Sequence, residues 1–437
     1  MKPAWIFAGV LLAAPAQAQD APMFRGNLAR TGVTTGQPLT GPAVVKWTFH
    51  TDGRVISSPA VVGGTVYFGS TDGNVYAVDT GTGTRRWAFK TGSRVTSSPA
   101  VSGGLVYVGS YDGNFYAIDA GTGALRWKFA TGGERRFAGR HLHGRLPAGE
   151  VIPDPFDIYL SSPAVSRGMV YFGSGDSHVY ALDAATGRIR WTFKTGNVVH
   201  ASPTIAGELL YIGSWDTWFY ALNALTGRMV WRFKTGEDAE YNNQTGIQAT
   251  AAVADGTVYF ECRDAHVYAL DARTGRKKWA FDTHGSWGMS SPAVRDGKVW
   301  FATADGRSVH EVDAASGKDL FALQFSWYFS ASPAIVGNFA YAGNWDGRLI
   351  AIDLDARKVA WIFQTDSSRA NRGKYIKPDS SMNYRAAMLE PFADDFGVEF
   401  VNIFSMGSFL SSPAVVDGVL YIGSTDGNLY ALAGAKP

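Results

Sequence analysis

Aromatic side chains beside a few polar groups are what a small-molecule pocket needs, because the rings supply apolar area while Arg, His and Gln fix orientation. Trp215, Trp218, Trp287 and Trp327 are the residues best suited to act as such platforms, and His200 and Gln248 stand at corresponding places of a repeated unit. That unit carries a turn Asp in every copy: Asp72, Asp112, Asp176, Asp216, Asp264, Asp305, Asp346 and Asp426. Just before it the copies read Thr71, Tyr111, Gly175, Trp215, Arg263, Ala304, Trp345 and Thr425. Two residues after it they read Asn74, Asn114, His178, Trp218, His266, Arg307, Arg348 and Asn428. The departures cluster in the third to seventh copies and single out His178, Arg263, His266 and Trp345, together with Tyr111 of the second copy, as further contact candidates. Glu261-Cys262 replaces the usual Gly-Ser, placing a carboxylate and a thiol in a turn that elsewhere needs neither. Glu261 joins the candidates, whereas a lone Cys reads equally well as a small buried hydrophobe.

The recurring Asp has a structural reading, since a carboxylate in a turn accepts backbone N–H bonds. A ring of such groups is therefore not read as a metal site. His141-Leu142-His143 lies in a basic stretch with Arg135, Arg136, Arg140 and Arg145, which suits an anionic ligand or partner. No HExxH or cysteine pattern supports a metal there, and GxSxG and phosphate-loop signatures are missing from the sequence. These patterns assign no catalytic residue and no metal ligand.

The elements that carry these positions repeat with a period of about 40 residues. A small-Pro-Ala-hydrophobic signature recurs around Pro59, Pro99, Pro163, Pro203, Pro292, Pro333 and Pro413, with Ala251 in the equivalent place of one more copy. Each unit reads as four short strands with alternating burial, which is a propeller blade. The expected fold is all-β, an eight-bladed β-propeller of four-stranded antiparallel blades. The final unit stops at Tyr430-Ala431-Leu432 without an outer strand, while Lys46-Trp47-Thr48-Phe49 precedes the first unit without partners. Pairing the two closes the ring and removes exposed edges. Insertions at about 132–158 and 366–407 both follow an outer strand, so they are expected on the same face, and the apolar run Val401 to Phe404 is expected to pack down as a lid. Loops on a rigid scaffold carry function disproportionately, which makes that face the expected binding face.

The segments Ala181-Leu182-Asp183 to Trp191 and Ala269-Leu270-Asp271 to Trp279 resemble the tryptophan-docking motif AxDxxTGxxxW of quinoprotein (PQQ-like) propellers. Seven outer strands carry the Trp (Trp47, Trp87, Trp127, Trp191, Trp231, Trp279, Trp361) and Phe321 replaces it in the eighth. The resemblance covers nearly all of the chain beyond its first residues. That family includes quinone-dependent alcohol dehydrogenases, the outer-membrane assembly scaffold of Gram-negative bacteria, and many propellers of unassigned role. The dehydrogenase reading implies pyrroloquinoline quinone over a Trp and a Ca²⁺ or lanthanide on oxygen ligands, for which Glu261, Asn242 and Asn243 are available. The family's adjacent cysteine pair cannot form, since Cys262 is the one cysteine, and no CxxCH haem site is present. A binding or assembly scaffold, taking a small ligand or an extended envelope-protein segment, is the favoured reading, with the PQQ-dependent oxidoreductase as the alternative. Trp215-Asp216 and Trp345-Asp346 do not make WD repeats, because the accompanying Gly-His is missing.

The 437 residues carry a formal charge of +2, which gives no general pull toward nucleic acid or anionic lipid. Lys2, the uncharged stretch from Ala4 to Ala14 and Ala16-Gln17-Ala18 read as a secretory signal cleaved near Ala18, followed by one propeller domain over 19–437. A periplasmic or secreted monomer with neither a membrane span nor a lipid anchor is expected.

Overall fold

The computed structural model describes residues 20–140, 142, 150–236, 245–387 and 400–435. The expected signal segment, His141, His143, Arg145, Asn242, Asn243, and the acidic Asp394, Asp395 and Glu399 of the second insertion lie outside the described residues. Among the described residues no helix is long and apolar enough to cross a membrane.

Eight four-stranded antiparallel blades form the ring, and the seventh gains a parallel fifth strand, Val33–Thr34, on its inner edge. In the first, the strands run Ala60–Val62, Thr65–Gly69, Asn74–Asp79 and Arg85–Lys90 from the axis outward. The alternation expected from sequence is not seen in the inner strands, because a sheet between two others is covered on both faces: Thr65–Gly69 is buried throughout and Val75 to Val78 are buried in succession, while the outer strand buries only Trp87. The last blade combines Ala414–Val416, Val419–Gly423 and Asn428–Gly434 with the N-terminal strand Ala43–His50, in the register Trp47↔Ala431 and Phe49↔Leu429. The expected clasp is therefore present.

The Trp motif has a direct geometric cause. Six of the seven outer-strand Trp residues donate the indole N–H to a carbonyl of the following blade, as Trp87 Nε1 does to Ala120 O at 2.9 Å and Trp191 Nε1 to Ala224 O at 2.9 Å, and Trp361 donates to Leu39 O, just ahead of the N-terminal strand. The motif's Gly lies under the ring: a Cβ on Gly227 would sit 2.7 Å from Trp191, and its φ of +70° disfavours other residues. Where Phe321 replaces Trp, Arg357 replaces that Gly and its guanidinium lies 5.8 Å from the Phe321 centroid. Gly227→Ala is expected to lower stability by about 2 kcal/mol, combining overpacking with a strained φ, and a urea melt compared with Gly207→Ala, which meets nothing within 4 Å at similar φ, isolates the packing part.

Two rings organise the axis. Residues 20–34 pass around the inner strand edges, with backbone bonds from Val101 N to Pro22 O, Ile205 N to Leu28 O, Val253 N to Ala29 O, Val294 N to Thr31 O and Ile335 N to Gly32 O. They cover edges that would otherwise present unpaired amides. Beside them, Ser58, Ser98, Ser162, Ser202, Thr250, Ser291, Ser332 and Ser412 contribute one hydroxyl per blade. Each backbone N–H donates to the hydroxyl of the next blade at 2.9–3.2 Å, ending with Ser412 N to Ser58 Oγ, so the chain of bonds closes on itself.

Candidate functional site

The two insertions meet over the mouth of the channel on one face, as their positions in the repeat predict. Phe156 of the first packs against Phe400 of the second at 5.5 Å, and Trp345 lies between them, 6.5 Å from Phe156 and 5.8 Å from Phe400. The helix Val401–Phe404 buries Ile403 and Phe404 in the same cluster, so the expected lid is seated. A helix at Asp366–Tyr375 begins this insertion, and its Arg372 reaches Asp346 at 3.0 Å.

The candidate aromatics are occupied by the chain itself. Phe137 stacks on Trp215 with centroids 4.5 Å apart and planes 8° from parallel. Arg263 lies between Trp215 and Trp287, 4.7 and 4.0 Å from their centroids, and pairs with Asp154 of the first insertion at 2.6 Å. Phe156 meets Trp287 edge-on at 5.0 Å, and its carbonyl accepts from Gln248 Nε2 at 3.1 Å. Trp345 donates to Ser330 Oγ, and Trp327 is buried beside Tyr328. Tyr111 donates to Asp157 O at 3.3 Å beneath the Arg94 guanidinium.

His200 is enclosed by two carboxylates of the same insertion, with Nδ1 2.7 Å from Asp157 Oδ1 and Nε2 3.4 Å from Glu134 Oε2. Burial pushes this imidazole toward the neutral form, but the two carboxylates outweigh it and raise its pKa from 6.5 to about 10. Both ring nitrogens face acceptors, which only the imidazolium satisfies. Glu261 is buried and held well above the usual carboxylate range by desolvation, although it accepts from Ser290 Oγ at 2.5 Å. Its presence follows from an exchange of bulk. In most blades a Gly faces a large residue of the next blade, as Gly173 faces Val199 and Gly423 faces Val55, whereas Glu261 faces Gly288. Cys262 is buried, its thiol pushed up by desolvation.

His178, Trp218 and His266 are not drawn into this assembly. His178 and His266 bond the carbonyl of their own turn residues Asp176 and Asp264, and Trp218 stacks under Arg232 at 4.0 Å. The repeated Asp performs the structural task read from sequence: Asp72, Asp112, Asp176, Asp216, Asp264 and Asp426 each accept from the hydroxyl of the Tyr four residues on, at 2.6–2.7 Å. Residues that sequence reasoning passed over are Glu134, Phe137, Asp154, Phe156 and Asp157. Their signal was the acidic and aromatic content of an insertion whose basic residues drew the attention.

This arrangement binds its own members rather than poising them. His200 is locked between two carboxylates, Asp154 is spent on Arg263, and Glu261 is buried against Ser290. A family model described as outer membrane protein assembly factor BamB matches residues 33–152, 159–281 and 263–390. The chain belongs to this PQQ-like propeller family. Solved structures agree on the fold of this BamB-like chain. BamB from Moraxella catarrhalis is 16% identical with a TM-score of 0.63, covering 90% of this chain and 98% of that one. The quinohemoprotein alcohol dehydrogenase from Comamonas testosteroni is 15% identical with a TM-score of 0.69, covering 96% and 81%. A europium-containing methanol dehydrogenase is 16% identical with a TM-score of 0.68, covering 95% and 98%. None of the curated proteins compared matches.

The residues present do not fit a quinone cofactor. Of the Trp faces that would stack on it, Trp215 carries Phe137 and Arg263 and Trp287 carries Arg263, and among the described residues no three His, Cys, Asp or Glu side chains converge as metal ligands. Beneath the covered mouth the axial cavity is about 40 Å³, room for a few waters.

Proposed function

We propose that this BamB-like propeller is an exported assembly scaffold of the cell envelope that binds extended protein segments on its elaborated face. The observation that carries this is the self-filled mouth, where Phe137, Phe156 and the Arg263–Asp154 pair occupy the volume a small ligand would need. Recognition is then left to the outer surface of the insertions and the blade seams. A cleft of about 610 Å³ between the last and first blades, lined by His50, Asp52, Arg54, Thr71, Phe404 and Asp426, is wide enough for side chains of such a segment. The mixed charge of this lining suits an extended partner.

Thermal unfolding with pyrroloquinoline quinone, alone and with Ca²⁺ or a lanthanide, separates this reading from the oxidoreductase. A ligand that binds only the folded state must raise the melting temperature, and no rise is expected. A metal-dependent rise of several degrees, followed by dye reduction with alcohols, would overturn the proposal. In a second arm, a fluorescent unfolded outer-membrane β-barrel protein is titrated with the full chain. Micromolar binding is expected, weakened at least fivefold by Asp52→Trp, which obstructs the cleft from an exposed position.

A further inference from the structure

The hydroxyl ring on the axis has unused donors. All eight hydroxyl groups are buried and border one cavity of about 40 Å³. Each oxygen accepts a backbone N–H from the neighbouring blade, and among the described residues none of the eight hydroxyls donates to a protein acceptor. Eight O–H bonds are therefore available to an acceptor inside the ring, and such unused donors in a buried place are costly unless something takes them.

The charge beside the ring has the matching sign. Arg30 is fully buried and donates to Ser162 O, Pro163 O, Pro203 O and Phe24 O, while Arg25 donates to Pro292 O and Pro333 O. Four of those carbonyls belong to prolines that directly follow ring residues, so both guanidiniums lie against the ring's own backbone. All six partners are neutral, and Arg25 Nε has no hydrogen-bond partner. Burial lowers both groups to about 9, which leaves them cationic at neutral pH. Glu261 is the one acid that acts on Arg25; desolvation pushes its carboxyl well above the usual carboxylate range, and it is not among the groups that either guanidinium bonds. A second small void, lined by Arg25, Phe24, Ser58 and Ser412, adjoins the ring from the side of the arginines. Isolated buried cations are strongly disfavoured unless an anion is near.

We propose that the axial hydroxyl ring binds one small inorganic anion of halide size, held by O–H donors and by the positive field of Arg25 and Arg30. Water alone would take the hydrogen bonds but bring no negative charge to two buried guanidiniums whose bonded partners are all neutral carbonyls. A cation would meet donors and positive charge together. Cavity size limits the occupant, since space for about three waters accepts a halide with a companion water but no organic ligand. Gln248 Oε1, buried without a donor on the same cavity, accepts from that water. His200 also borders the cavity, with its charge balanced by Asp157 and Glu134. The anion is thus part of the axle that joins the N-terminal segment to the blades.

The test is thermal unfolding of the full chain, exhaustively exchanged into sodium isethionate and then titrated with chloride or bromide from 0 to roughly 50 mM at constant ionic strength, low enough to keep general salt effects small. A saturating rise of several degrees with either halide is expected, as binding to the folded state requires. The Ser162→Ala/Ser332→Ala variant removes two donors. Whatever its own melting temperature, its halide-dependent rise should fall to less than half. Crystals grown in bromide should show an anomalous peak inside the ring. Overlapping halide and isethionate curves would overturn the proposal, whether or not crystals at high bromide show a peak. A halide response undiminished in the double variant would place the anion elsewhere and overturn it as well.

Discussion

Asp154→Ala should destabilise the first insertion by about 3–5 kcal/mol, the cost of leaving a buried charge without its partner. Arg263 and Asp154 are respectively 1% and 2% exposed at their side chains, so water cannot replace the lost carboxylate. The two indole faces over Arg263 contribute cation–π attraction but accept no hydrogen bond from the guanidinium. The loss is expected to appear as local opening, because the blades beneath keep their ladders while the loop loses its anchor. Limited proteolysis within 132–158 should therefore accelerate at least tenfold before the global melting temperature moves by a comparable amount. Replacing both partners, Asp154→Leu with Arg263→Met, should restore much of the stability, since an apolar pair of similar volume carries no desolvation cost. Proteolysis of Asp154→Ala at the wild-type rate would show that the ion pair does not hold the insertion down.

The parts of this molecule that repeat could be read from the sequence, and the parts that occur once could not. Trp191, Gly227 and the turn Asp216 recur at fixed spacing because each blade solves the same packing problem, so comparing copies exposes the solution. The same comparison located Arg263, Trp215, Trp287 and His200 as departures, and all four lie in the covered mouth. It could not find their partners. Phe137, Asp154 and Asp157 come from a segment with no second copy, whose path is set by contacts distant in sequence, such as the 109 residues between Asp154 and Arg263. His178, Trp218 and His266 differ from the other copies without meeting the insertions, since their place in the blade turns them to their own turn Asp or to the outer strand. Arg25 and Arg30 escaped notice for the same reason as Asp154: residues 20–34 carry no repeat, and nothing local signals that they encircle the axis.

Stability should also fall as pH rises above neutrality, and His200 should account for much of that fall. Its folded-state pKa of about 10 exceeds the 6.5 of the free imidazole, so the folded chain holds a proton that the unfolded chain releases in between. The stabilisation is fully present below about pH 6.5 and is lost as pH climbs toward 10, at no more than about 1.4 kcal/mol per pH unit. Melting temperatures of the wild type and His200→Gln, measured from pH 6 to 10, should converge at the alkaline end and diverge at the acidic end, with the wild type the more stable at pH 6. Parallel curves would mean that His200 gains no proton affinity on folding. The convergence has a structural consequence: with the imidazole neutral, one of Asp157 and Glu134 faces a ring nitrogen lone pair, and the first insertion loses the cation that joins it to the fourth blade. Alkaline solution and Asp154→Ala should therefore open the same loop, and proteolysis of the wild type within 132–158 should quicken between pH 8 and 10 while that of His200→Gln stays level.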